Sequence, residues 1–347
     1  MDYKLSLNQA DKILNDLQKE YRIYAPKVFE GEGRHSYTNF VKYGEINSFS
    51  EVEYKTKSQG SPKEVLLPIN HTLAIKINGQ EISTTKDTDE RKILILLRSC
   101  DIHGITRIDK TFINDEYYKN RRDKVKFMVM ECPKSWDTCF CVSLGTNKTD
   151  NYSMGIKFDE NTISIKVKDN EFEKYFENNF TEDNFEIRFA IENEMKVKVP
   201  NIEIWDKQAL DKVKSLDIWN EYKNRCIGCG ACNMSCITCT CMLTSNIVHR
   251  ENKDLEEKRR TWNGCQLVKS SALKTKSMPQ IVPTRVRQRV LDKFYRPKLK
   301  ESKEQVCVGC GRCIDACPRY INFANTVNRV SSELDNIYKE FGREINE

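Results

Sequence analysis

Apolar positions recur along this chain with two rhythms, and each predicts a different kind of element. Behind Ser6, a candidate N-cap, Ile13, Leu14 and Leu17 fall at helical spacing, which predicts a surface helix over residues 6–20. From Tyr21 to about Val52 the pattern is short and mixed, with Gly31, Gly33 and Gly44 as turn signals between small strands. Lys55 to Lys63 is polar and carries Gly60 and Pro62, the composition of a loop. Glu64–Leu67 and Leu73–Ile77 have strand character, and Asn78-Gly79 is a hairpin turn signal. Lys92–Leu97 and Lys124–Met130 are nearly continuous apolar runs of strand length. Between them Ile105 to Asn120 is helical in pattern, with Ile105, Ile108, Phe112 and Ile113 as its buried face. That is a βαβ unit, whose strands are expected to be parallel neighbours. Met154–Phe158 and Thr162–Val167 flank Asp159-Glu160-Asn161 as a hairpin, a helix is expected over 171–180, and strand-like pieces continue to about Ile204. From Asp206 the rhythm turns helical, with segments at 207–224, 284–294 and 325–343. The pattern therefore predicts an α/β domain over 1–205 and a mostly helical domain over 206–347.

Cysteine placement changes that picture most. Cys226, Cys229, Cys232 and Cys236 form one run, and Cys307, Cys310, Cys313 and Cys317 form another, followed by Pro318. Both have the spacing C-x2-C-x2-C-x3-C of bacterial ferredoxins with two [4Fe-4S] clusters. Three thiolates two residues apart wrap one corner of a cluster, and the fourth reaches the other cluster. The expected sets are Cys226, Cys229, Cys232 with Cys317, and Cys307, Cys310, Cys313 with Cys236. Gly230 and Gly311 let the backbone curl close to the inorganic sulfides. The ferredoxin-like core would carry a long insertion between its runs, with Cys239, Cys241 and Cys265 inside it and no assigned role. Zinc is the competing reading, but zinc usually takes two separated pairs of ligands.

Four further thiols belong to the N-terminal half. Cys100 follows one apolar strand and Cys132 the other, so parallel pairing would set both at the carboxyl edge of one sheet, where open α/β sheets build sites. Cys139 and Cys141 follow, spaced by one and so facing the same way in an extended segment. These four are the candidate ligands of a third cluster, with packing as small buried side chains the alternative. His103 is a possible substitute ligand, or a surface histidine.

Composition narrows the class. Fifteen cysteines in 347 residues, with no leader-like apolar segment behind Met1, point to a reducing, cytoplasmic setting in which thiols serve metals. Ile93 to Leu97 is far too short to cross a bilayer. The net charge of +6 arises from 57 basic against 51 acidic residues, and no aromatic-interleaved basic stripe supports nucleic-acid binding. No glycine-rich phosphate loop follows a strand, and no nucleophile–base set is visible. Arg285, Arg287 and Arg289 cannot share one helix face; some are expected at a cluster edge or an acidic partner, against the alternative of a solvated helix.

Arg98-Ser99-Cys100-Asp101-Ile102-His103-Gly104, Asp115–Tyr118, Arg121-Arg122, Cys132-Pro133, Thr138–Cys141, both cysteine runs and Trp262-x-x-Cys265 together resemble one lineage of iron–sulfur subunits. That lineage holds the A subunit of anaerobic sulfite reductase and the β subunit of sulfhydrogenase-type nickel–iron hydrogenases. Length and opening segment resemble the sulfite reductase subunit most. The resemblance implies an electron relay between an NAD(P)H-oxidising flavoprotein and a catalytic partner. That partner is a sirohaem subunit reducing sulfite to sulfide in the first case and a nickel subunit in the second. Ile237 stands where relatives often have proline, which leaves the path toward Cys239 and Cys241 open. A zinc-stabilised structural or nucleic-acid-binding protein is the reading from another class.

Overall fold

In a computed structural model, residues 1–84, 89–176, 181–182, 184–199, 207–267, 282–295 and 304–342 are described. Twelve strands are found among them: β1 Asp2–Ser6, β2 Tyr21–Phe29, β3 Phe40–Glu45, β4 Asn70–Ile77, β5 Gln80–Thr84, β6 Lys92–Leu97, β7 Val125–Met130, β8 Met154–Phe158, β9 Thr162–Val167, β10 Thr181–Glu182, β11 Met242–Val248 and β12 Leu255–Trp262.

The two apolar runs become the middle of an eight-stranded sheet, ordered β10-β1-β9-β8-β7-β6-β2-β3. β6 and β7 are parallel, with Ile93 opposite Val125 and Leu97 opposite Val129, as the βαβ reading requires. β2 and β8 extend the parallel block on either side, and the remaining pairings are antiparallel. Residues 93–97 are at most 1 % exposed, which explains why β6 reads as a continuous apolar run. Each such side chain contributes roughly 1.5–3 kcal/mol of burial. The crossover is two helices rather than one. Ser99–Phe112 ends before Asp115, which caps Glu116–Arg122 by accepting from the Tyr118 amide at 2.8 Å. Ile105 and Ile108 are fully buried as expected, but Ile113 is 69 % exposed in the break.

The first helix, Leu7–Leu17, is capped by Ser6 with Gln9 returning the bond, and it buries Ala10, Ile13, Leu14 and Leu17. The hairpin β8–β9 falls where predicted. Glu64–Leu67 does not form a strand: Lys63–Leu66 is a short helix that buries Val65 and Leu66. Its apolar residues are adjacent because one helical turn is almost wholly enclosed, not because they alternate across a sheet. The expected helix at 171–180 is a 3₁₀ turn, Asn170–Tyr175, and 177–180 lie outside the described residues.

A second sheet, β11-β12-β4-β5, joins a hairpin from between the cysteine runs to one from the N-terminal half. Trp262 Nε1 donates to Leu67 O at 2.8 Å, the Lys63 ammonium lies 3.8 Å from the centre of the indole, and Arg260 pairs with Asp115. The chain forms two compact units. One is Met1–Lys134, Asn147–Ile191 and Met242–Trp262; the other is Ser135–Thr146, Glu192–Cys241 and Asn263–Glu347. A single division near Asp206 is therefore not how the contacts group, and Asp206 itself lies outside the described residues. The second unit is built on the helices Val282–Phe294 and Phe323–Glu340, whose Val290, Leu291, Phe294, Ala324, Val327 and Val330 share a core with Trp219 and Tyr222. Among the described residues no helix is long and apolar enough to cross a membrane.

Candidate metal centres

All eight cysteines of the two runs lie in the second unit. In each run the third cysteine sits in a four-residue helix, Ala231–Met234 or Arg312–Asp315, capped by a glycine with positive φ: Gly230 at 75° and Gly311 at 73°. That conformation turns the chain sharply between the second and third thiols at no steric cost.

The side chains gather around two cavities. One is lined by Cys226, Cys229, Cys232, Cys313 and Cys317. The other is lined by Cys236, Cys307, Cys310 and Cys313. Three thiols of the first run thus meet Cys317, and three of the second meet Cys236, with Cys313 on both walls. Backbone amides point at the sulfurs: Gly309 N lies 3.4 Å from Cys307 Sγ, and Ile321 N lies 3.4 Å from Cys317 Sγ. Such donors suit thiolates that carry charge. Thiol-lined cavities with inward amides fit a cluster with several metal atoms better than one ion.

Electrostatics separates the thiols. Burial pushes Cys232 and Cys307 up to about 12. Cys236 is held well below the ordinary thiol value, first by a hydrogen bond with Cys239 and then by the nearby Lys293 and Arg289 charges. Cys239 is raised well above it by that same bond and by burial.

Cys239 and Cys265 converge on one amide. Asn233 Nδ2 lies 3.5 Å from each sulfur, and Gln266 Nε2 lies 3.5 Å from Cys265. Asn233 Oδ1 in turn accepts from Gln266 N at 3.1 Å. These amides tie the loop at 263–266 to the first cysteine run. Cys241 is exposed.

The N-terminal four are divided. Cys100 opens the helix after β6 and Cys132 follows β7, both half-buried at the carboxyl ends of neighbouring parallel strands of the first unit. His103 Nε2 lies 2.9 Å from Lys148 O. Cys139 and Cys141, 5 % and 7 % exposed, belong to the second unit. There they lie against the second run: Phe140 N donates to Gly309 O at 2.8 Å, and Cys139 Sγ is 3.6 Å from Cys310 O.

Sequence reasoning left the arginines of helix 282–294 open, and the structure settles their surroundings. Arg285 and Arg289 are buried, Arg287 donates to Lys214 O, and Lys293, not singled out before, is buried as well. The solvated-helix alternative fails for Arg285 and Arg289. The legible signal is the i, i+4, i+8 spacing of residues 285, 289 and 293.

Residues 225–321 match the family model of a 4Fe-4S dicluster domain. Over 348 residues the chain is 26 % identical to the sulfhydrogenase 2 subunit beta of Pyrococcus furiosus, covering 95 % of this chain and 98 % of that protein. No solved structure matches. The C-terminal part of this mixed α/β chain thus contains a 4Fe-4S dicluster, ferredoxin-like domain.

Proposed function

We propose that this chain is the iron–sulfur electron-transfer subunit of a hetero-oligomeric, cytoplasmic oxidoreductase of the nickel–iron sulfhydrogenase type. The observation that carries the reading is the pair of cavities lined by cysteines of the segment that matches the dicluster domain: three thiols of the first run meet Cys317 and Cys313 in one, and three of the second meet Cys236 in the other. Cys226, Cys229, Cys232 and Cys317 would hold one cluster, and Cys307, Cys310, Cys313 and Cys236 the other. A bound [4Fe-4S] cluster supplies reversible one-electron transfer. The residues around it hold the sulfurs, donate amides to them and limit water. The likeness to a sulfhydrogenase subunit over nearly the whole of both chains favours a hydrogenase-type partner over a sirohaem one. The sulfite reductase assignment gains no support beyond the sequence resemblance itself.

Anaerobic purification with metal and sulfide analysis tests the carrier. About eight irons and eight sulfides per chain are expected for two clusters, with visible absorption that dithionite bleaches. Colourless protein holding zinc would refute it. Purification from the native host tests the partner. A nickel protein is expected to accompany the chain, and a sirohaem protein in its place would return the assignment to sulfite reduction.

A further inference from the structure

Helix 282–294 turns Arg285, Arg289 and Lys293 inward at intervals of four, and they are only 4 %, 8 % and 5 % exposed. Arg289 lines both thiol cavities, while Lys293 lines only the one with Cys236, Cys307 and Cys310. Arg289 Nη2 lies 3.5 Å from Cys232 O, its Nε has no hydrogen-bond partner among the described residues, and its guanidinium carbon is 4.2 Å from the centre of the Phe323 ring. Lys293 Nζ donates to Thr238 O and Thr238 Oγ1, both at 2.8 Å and both neutral. Among the described residues neither cation pairs with a carboxylate; the groups that share their cavity walls are cysteines. Arg289 shares its walls with Cys232, Cys313 and Cys236, and Lys293 shares its wall with Cys236, Cys307 and Cys310. A buried charge without a counter-charge is strongly disfavoured. Two such cations against the same thiols indicate that the negative charge they answer is the one the thiols gather.

Resting on the dicluster reading above, we propose that Arg289 sets the reduction potential of both clusters and Lys293 that of the second alone. Reduction adds one electron to a cluster, drawn from a reduced flavin in the working complex or from dithionite in the assay. No bond or proton need change. The added negative charge lies beside a fixed positive one, so the reduced form is favoured and the potential rises. These are positioning charges: they act on the cluster through space and neither ligate it nor turn over a substrate. Because Arg289 borders both cavities, it also offsets the repulsion that a first electron exerts on a second.

The test is a redox titration of the full anaerobic chain followed by electron paramagnetic resonance, with the two signals assigned through Cys229→Ser and Cys310→Ser. Arg289→Gln is expected to lower both midpoints, Arg289→Lys to leave them close to the parent values, and Lys293→Gln to lower only the signal that Cys310→Ser removes. Iron-loaded Arg289→Gln with unchanged midpoints, or Arg289→Lys shifted as far as Arg289→Gln, overturns the proposal while leaving the carrier intact. If Arg289→Gln fails to hold iron, the selective shift in Lys293→Gln and the charge-retaining Arg289→Lys decide the matter. Parent protein that binds no iron overturns the dicluster reading and this proposal with it.

Discussion

Alanine at Gly311 is expected to destabilise the second unit far more than alanine at Gly145, although both glycines have positive φ, 73° and 64°. The left-handed backbone alone costs an alanine roughly 1–2 kcal/mol. At Gly145 that is the whole effect, because an added Cβ would meet nothing within 4 Å. At Gly311 the new carbon would strike the Thr138 carbonyl, lying 2.6 Å from its carbon and 2.7 Å from Thr138 Oγ1. The segment is tied at both levels, since Phe140 N donates to Gly309 O at 2.8 Å and Thr138 Oγ1 to Asp315 Oδ1 at 2.7 Å. Overpacking of this kind adds about 1–3 kcal/mol, for a total of about 2–5 kcal/mol at Gly311. At about 2–4 °C per kcal/mol for a domain of this size, Gly311→Ala should melt roughly 2–12 °C below Gly145→Ala. The assay is anaerobic thermal unfolding at one scan rate with iron content measured on the same samples, because loss of a cofactor breaks two-state behaviour. Iron should also fall in Gly311→Ala and not in Gly145→Ala. Equal melting and equal iron in the two variants would refute the claimed packing of the 138–141 segment on the second run.

Three further outcomes are expected. Cys317→Ala should abolish or convert the magnetic resonance signal of the cluster held by the first run; damage confined to the other signal would show that the fourth ligands are not crossed. If Cys100, Cys132, Cys139 and Cys141 hold a third cluster, iron should approach about twelve per chain and Cys100→Ala should reduce it toward about eight; a parent value near eight, unchanged in the variant, would make these cysteines packing residues. Leu96→Ala, at a fully buried position opposite Met128 in the parallel pair, should cost about 2–5 kcal/mol, read from denaturant unfolding at constant slope, and a cost under about 1 kcal/mol would contradict the burial of β6.

What was legible in the sequence was what is local. β6, the β8–β9 hairpin and the Ser6 cap each declare themselves within a few residues, through an apolar run, an alternation around a turn or a capping pair. The cysteine runs do so even more strongly, because a cluster dictates ligand spacing directly. The hairpin at 242–262 escaped because its stability comes from partners distant in sequence. β12 is largely charged, Glu256 to Arg260, and is held by pairing with β4 and by Trp262 reaching Leu67. No short apolar period marks such a strand. The segment at 63–67 was misread because three adjacent buried residues, Val65, Leu66 and Leu67, look alike in a strand and in an enclosed helical turn. Arg289 and Lys293 were obscured by the usual rule that arginine and lysine face solvent. Only a group of opposite charge at the same depth overturns that rule, and spacing along the helix was its sole trace.

The alternation of the chain between its two compact units bears on how the molecule is made. The polypeptide passes from one unit to the other after Lys134, Thr146, Ile191, Cys241 and Trp262. A ribosome that has delivered the eight-stranded sheet has therefore not yet delivered β11 and β12, the strands that complete the smaller sheet beside β4 and β5. Nor has a chain halted at Cys236 any of Cys307, Cys310 or Cys313. On the proposed crossed ligand sets, neither cluster would find its full complement of cysteines before the second run is made: one set waits for Cys313 and the other for Cys317. Half-built thiol sets would then have to stay reduced in the meantime. Recombination would meet the same barrier, since no single breakpoint exchanges one unit without dividing the other.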